Sequence, residues 1–261
     1  MARKEYDGSG FLTFFQQMAV NNPCYQKMGN RTKTTHLIIH STGANNANLK
    51  RYVTPDDGYL GNNPYNNGWN NPNSSTLVHG VIGLNKNGAV EVYQIAPWDK
   101  LVWGCGSGKN GSGNSFAIQV EICEDQTLGA SYAREAYKAA VKLFAHLCKV
   151  YRIPAENIWS HNEAHAKGYA SGHIDPEHWW KKVAPGLTMD GFRTDVKKLL
   201  NGEQEEIMER YEDVSKNDWY YDAVEKVSEA GMMQGSDGKF RPNDTVTRAE
   251  MATILSRLLE R

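Results

Sequence analysis

Two stretches rich in metal-capable side chains, widely separated in the chain, limit the folds open to it. The first runs Trp159-Ser160-His161-Asn162-Glu163-Ala164-His165 and is followed, past a Gly-rich turn, by Gly172-His173-Ile174-Asp175-Pro176. Imidazole nitrogens joined by a carboxylate are the donors that Zn2+ takes when one coordination position stays open for water or substrate, whereas closed structural sites are more often built from thiolates. One further ligand is wanted from elsewhere. Thr35-His36-Leu37-Ile38-Ile39-His40-Ser41-Thr42 offers it, because its apolar centre reads as a short buried strand and His40 stands where that strand meets its loop.

The 261 residues, 40% hydrophobic and 23% charged, suit a soluble globular protein with one large domain and a smaller one. No apolar run approaches the ~20 residues that span a bilayer, so membrane insertion is not expected. The start, Met1-Ala2-Arg3-Lys4-Glu5-Tyr6-Asp7, lacks the apolar core of a secretory signal, and the expectation is synthesis in the cytoplasm without a signal peptide and release with outside help. Cys24, Cys105, Cys123 and Cys148 are scattered and form no CxxC pair, which argues against a thiolate zinc cage and a disulfide framework and predicts reduced, structural thiols. Charge is unevenly spread: residues 202–261 hold 8 Lys and Arg against 14 Asp and Glu, net −6, and the remainder 21 against 16, net +5. A basic first part suits an anionic polymer. Without a dense Lys/Arg stripe that polymer is expected to be cell wall rather than nucleic acid.

Composition changes at Asn201-Gly202-Glu203-Gln204-Glu205-Glu206, after a helix expected over residues 191–200. The expected division is a catalytic domain over 1–201, a linker over 202–209 and a C-terminal module over 210–261. The Asn-, Gly- and Pro-rich stretch from Gly43 to Ser75 reads as a long loop, which in a compact domain is more often functional, here a wall of the substrate groove. Leu77–Leu84 and Ala89–Ile95 read as strands joined by a turn at Asn87-Gly88. Phe116–Ile122 reads as another apolar strand, and Ser131–Tyr151 as a helix stopped by Pro154.

The segments HLIIHSTG, HGVIGLNKNGAVEVYQI, VWGCG, FAIQVEICED and SHNEAHAKGYASGHIDPEHWW, in this order over roughly residues 20–200, resemble zinc-dependent N-acetylmuramoyl-L-alanine amidases of the phage-endolysin and peptidoglycan-recognition type. The resemblance implies an α/β fold, a central mixed β-sheet flanked by helices. It implies one Zn2+ per chain, held by His40, His161 and Asp175, with the fourth position left for water. Glu121 would be the catalytic base; on the residues alone, a lone carboxylate in an apolar strand is costly to bury unless solvated, paired or functional, and burial would raise its pKa toward neutrality. His173 stands where many relatives have a Lys that stabilises the oxyanion; a His can donate the same hydrogen bond, with a charge that depends on pH. A ligand role for His173 in place of Asp175 is the alternative.

His79 matches a recurrent family His, either as a substrate contact or as a packed side chain behind the site. Trp103-Gly104-Cys105-Gly106 resembles a WHxG element with Gly104 in place of its His. Tyr59, Tyr65 and Trp69 on the long loop are candidate sugar or peptide platforms. His161 and His165, four apart, also invite comparison with HExxH zinc proteases, but Glu163 comes one place too late and instead completes a capping box with Ser160.

From Tyr211 the sequence resembles a single S-layer homology module, implying a small all-α unit that holds anionic secondary cell-wall polysaccharide. Thr247 and Glu250 have a helix-capping explanation, whereas Arg248 does not and suits a carboxylate. Asp213 and Trp219 are further candidates for polysaccharide contact, Trp219 equally for the module's core anchor. Such modules usually occur in threes, so a homo-oligomer through this one is an open expectation. The function implied is a peptidoglycan hydrolase cutting the amide between N-acetylmuramic acid and L-alanine of the stem peptide, as a phage or prophage endolysin. A bacterial autolysin, a catalytically inactive peptidoglycan-binding protein and a zinc peptidase acting within the stem are the alternatives.

Overall fold

The computed structural model describes residues 5–7, 13–201, 211–215 and 217–259. The expected linker 202–209 lies outside the described residues.

Apolar β-branched runs and Gly-centred turns give one sheet of seven strands among the described residues: β1 (Glu5–Asp7), β2 (Thr13–Gln16), β3 (His36–Ser41), β4 (Gly80–Leu84), β5 (Val90–Gln94), β6 (Ala117–Ile122) and β7 (Ile158–Ser160). Their order is β1-β2-β5-β4-β6-β3-β7. β4 and β5 form the expected antiparallel hairpin, with Gly88 at φ +82° supplying the left-handed turn residue. β4, β6, β3 and β7 run parallel, so their C-terminal ends lie along one edge. β3 is buried over five of its six residues, as expected of a parallel strand covered on both faces.

The main cover is α2 (Gly129–Tyr151), whose apolar side chains recur at helical spacing and put eleven residues into the core. It packs with α4 (Glu177–Val183) and α5 (Met189–Leu200) over β3, β4 and β6. Trp179 and Trp180 are fully buried there, and Trp180 meets Tyr137 edge-on at 5.5 Å and Phe192 face-on at 6.2 Å. The opposite face is covered by the residue 43–75 segment, where Leu49, Tyr52 and Leu60 pack on Val81 and Tyr93, together with the short α1 (Pro23–Lys27). All four cysteines are buried and free.

The C-terminal part contains α6 (Tyr221–Glu229), which contributes Val224 to a small core with Tyr211 and Val214, and α7 (Arg248–Leu259), none of whose residues is buried. Thr247 and Glu250 cap α7 reciprocally, at 3.2 Å and 2.8 Å, as their spacing predicts. No helix among the described residues is long and apolar enough to cross a membrane.

Candidate active site

The parallel register assembles the site. His40 on β3 is the direct neighbour of Glu121 on β6, and Ile39 is the neighbour of Ser160 on β7, which delivers His161 one residue later. The C-terminal edge of these strands is where ligands bind in open α/β sheets, because the chain turns away there and leaves a crevice. His161 opens α3 (His161–Ala166), whose N-cap Ser160 and N3 residue Glu163 form the expected capping box. Glu163 is itself clamped by Arg193 of α5 at 2.9 and 3.0 Å, so the start of α3 is tied to the helical layer. The loop after α3 returns to place Asp175 beside both histidines.

His40, His161 and Asp175 each offer a ligand atom, and these atoms lie within 4.8 Å of one another. Nδ1 of His40 is 3.0 Å from Nδ1 of His161 and 3.3 Å from Asp175 Oδ2; Nδ1 of His161 is 3.5 Å from Asp175 Oδ1. The outer nitrogens face acceptors: His40 Nε2 lies 3.2 Å from Gln119 Oε1, and His161 Nε2 lies 3.1 Å from the Ser171 carbonyl oxygen. Nε2–H donation to those oxygens leaves both Nδ1 lone pairs pointing inward, the arrangement by which metal-binding imidazoles are oriented. Ser41 N–H donates to Asp175 Oδ2 at 3.2 Å.

Two imidazole lone pairs and a carboxylate converging on one point repel one another unless positive charge sits among them. Burial works to lower His40, but its hydrogen bond to Asp175, with the carboxyl groups of Glu121 and Asp175 close by, outweighs it and raises its pKa. Burial, helped by the neighbouring His40 charge, brings His161 down to about 4. Burial would raise Asp175, but the His40 hydrogen bond and both imidazoles hold it below the usual carboxylate value. The cluster thus keeps a carboxylate and a neutral imidazole ready for a cation, and the donor set suits zinc.

Glu121 lines the same cleft, of about 470 Å³. Its Oε2 is shielded and has no hydrogen-bond partner among the described residues, and burial raises its pKa to about 8. His173 stacks on His161 with ring centres 4.7 Å apart and 6° between planes; its side chain is 64% exposed and its Nδ1 is 3.9 Å from Asp175 Oδ1. The converging cluster contains Asp175 rather than His173. His165 is exposed, with Nδ1 3.2 Å from the Ala170 carbonyl oxygen, and is not part of it.

Other expected residues lie elsewhere. His79 is 0% exposed: Gln119 N–H donates to its Nδ1 at 3.0 Å and its Nε2 lies 2.9 Å from the Lys100 carbonyl oxygen, so it is a packed residue behind the site and not a substrate contact. Trp69 packs against Tyr52 at 5.6 Å, and Tyr65 is 81% exposed; neither lines the cleft, to which the long loop contributes only Gly43 after Thr42. Trp103 is also outside it, although Gly104 is inside. In the C-terminal part Trp219 is 93% exposed, which corrects its reading as the core anchor; Tyr211 has that place. Asp213 accepts from the backbone N–H groups of Phe240 and Arg241, both at 2.8 Å, and Arg248 stands exposed at the start of α7.

Sequence reasoning missed Gln119 and the pair formed by His178 and the buried Glu124. His178 lines the cleft with Nε2 3.2 Å from Glu124 Oε2, and Ser41 Oγ donates to the same oxygen at 3.2 Å. Gln119 carried the same signal as Glu121, a polar side chain inside an apolar strand.

The profile of the family described as N-acetylmuramoyl-L-alanine amidase matches residues 30–178, which hold the whole cluster. The chain belongs to this amidase family. The profile of the S-layer homology domain matches residues 210–252. The N-acetylmuramoyl-L-alanine amidase CwlA of Bacillus subtilis is 29% identical over 173 residues, 66% of this chain and 54% of that protein. A CwlA from a Bacillus species is 39% identical over 77 residues, 30% of each. The chain thus spans about half or less of the length of these amidase relatives. The hydrolase AmiA of Staphylococcus aureus superposes with a TM-score of 0.50 over 68% of this chain and 82% of its own, at 14% identity, which shows the amidase fold alone.

Proposed function

We propose that the amidase-family domain is a zinc-dependent hydrolase that cuts the amide between N-acetylmuramic acid and L-alanine of peptidoglycan. The observation that carries this reading is the convergence of His40 Nδ1, His161 Nδ1 and an Asp175 oxygen beside Glu121, whose shielded Oε2 has no partner among the described residues and whose pKa is elevated. His40, His161 and Asp175 would hold one zinc ion. Zinc in such a site supplies Lewis acidity, which polarises an amide carbonyl and acidifies water. Glu121 takes a proton from the attacking water and passes it to the leaving amine. A carboxyl titrating near neutrality suits both transfers. His173, exposed at the cleft mouth, donates a hydrogen bond to the oxyanion that develops on the attacked carbon. Gln119 and the Ser171 carbonyl hold the imidazoles in the tautomer this requires.

The proposal assigns residues 1–201 to catalysis, 202–209 to a linker and 210–261 to a module that anchors the enzyme to secondary cell-wall polysaccharide at the bacterial wall, with Arg248, Asp213 and Trp219 as its contacts. A catalytic domain joined to a wall-binding one fits the work of a phage or prophage endolysin. Elemental analysis of the full chain tests the metal assignment: one zinc per chain is expected, lost in His161→Ala and kept in Glu121→Gln. Zinc retained by His161→Ala would remove the ligand set.

A further inference from the structure

The residue that faces the outer nitrogen of His40 is itself held in one orientation from two sides. Gln119 is fully buried. Its Nε2 donates to Asn114 Oδ1 at 2.8 Å, and that oxygen is identified as an acceptor because it also receives the backbone N–H groups of Gly104 at 3.1 Å and Cys105 at 3.2 Å. Gln119 Oε1 is thereby turned toward His40 Nε2, 3.2 Å away. The main chain of Gln119 is fixed as well, through its N–H on His79 Nδ1 at 3.0 Å and its carbonyl oxygen under the His79 N–H at 2.9 Å.

Gly104 completes the arrangement. A Cβ there would stand 2.5 Å from Gln119 Oε1 and 2.9 Å from Val78 Cγ1, closer than real Cβ atoms come. The φ of Gly104 lies outside the left-handed region, so its backbone does not call for glycine and the reason for glycine is space. Position 104 is where the WHxG element has its His, and a side chain there would push the Gln119 amide out of the orientation it holds.

We propose that Gln119 and Gly104 are a matched pair, in which Gln119 is the positioning residue that sets the tautomer and ring orientation of His40 and Gly104 is the space it needs. The inference rests on His40 being a zinc ligand. Partners of this kind change metal affinity by about 10- to 100-fold when removed, because the imidazole loses both its orientation and part of its basicity.

Zinc affinity of the full chain, measured by competition with a chromogenic chelator, tests the pair, together with the visible spectrum of the cobalt-loaded protein, which reports ligand geometry and not fold stability. Gln119→Leu is expected to weaken zinc binding by about 10-fold or more and to shift the cobalt bands. Gly104→Ala should weaken it by about tenfold in the wild-type background and by less than about twofold in a Gln119→Ala background, since coupled neighbours are not additive. Melting curves of the metal-free variants confirm that each is folded, and Gln119→Ala, which adds no bulk, stands in if Gln119→Leu is not. Unchanged zinc affinity and cobalt spectrum in both Gln119 variants would overturn the positioning role alone. An equal effect of Gly104→Ala in both backgrounds would overturn the pairing. A wild-type chain that binds no zinc would overturn the site reading beneath both.

Discussion

Glu121→Gln separates what this carboxyl costs the fold from what it gives to turnover. Burial raises its pKa from 4.5 to about 8, and Oε2 has no partner among the described residues. A carboxyl whose folded pKa lies above its unfolded value keeps its proton in the native state. Its contribution is therefore fully present below pH 4.5 and is lost as pH rises through 8. Each pKa unit corresponds to ~1.4 kcal/mol, so at pH 7 the unfolded chain gains on the order of 3 kcal/mol by ionising while the folded chain does not. Water at the cleft mouth reduces this, leaving about 1–3 kcal/mol that an uncharged amide of the same shape would recover. At ~2–4 °C per kcal/mol for a domain of this size, the variant should melt roughly 2–12 °C higher at pH 7 and show almost no difference at pH 4.5. The assay is thermal unfolding of chelator-treated wild type and variant across pH 4.5–8, metal-free because bound metal adds its own stabilisation. Hydrolysis by the zinc-loaded variant should fall by about 10²- to 10⁴-fold. A variant that melts no higher than wild type at pH 7 would refute the burial argument, and one with full turnover would refute the proton-transfer role.

Two further substitutions probe the cleft mouth and the start of α3. His173→Ala is expected to keep its zinc and lose about 10²- to 10³-fold in kcat, whereas His173→Lys, which can still donate a hydrogen bond to the oxyanion, should retain most of the turnover; steady-state kinetics and zinc content of both check this. Glu163→Ala opens the capping box at the start of α3 and releases Arg193, and should cost about 1–2 kcal/mol in denaturant unfolding together with weaker zinc binding through a loosened His161.

The parts of the site legible in the sequence were those with a local signature. His40 ends an apolar run, Glu121 interrupts another, and Ser160 with Glu163 spells a helix start, so three elements could be placed before their neighbours were known. The strand β2, parallel to β5, escaped because four residues near the N-terminus carry too little periodicity. Its likeness to a family residue leaves His79 open between substrate contact and packing. Its burial follows from partners the sequence does not reveal, the Gln119 N–H and the Lys100 carbonyl, which satisfy both ring nitrogens. Trp69 and Trp219 show the opposite difficulty: an aromatic residue gives no sign of whether it will pack, as Trp69 does on Tyr52, or stand in solvent, as Trp219 does. The pairing of Gly104 with Gln119 was not legible because steric exclusion between residues on different elements leaves no local pattern.

Mass spectrometry of purified peptidoglycan digested with the full chain, with and without a zinc chelator, shows which bond the site cuts. Chelator-sensitive release of intact stem peptides beginning in L-alanine, with no new reducing sugar ends, is the expected result. Cuts within the stem, new reducing ends, or no cleavage by zinc-loaded protein would contradict it.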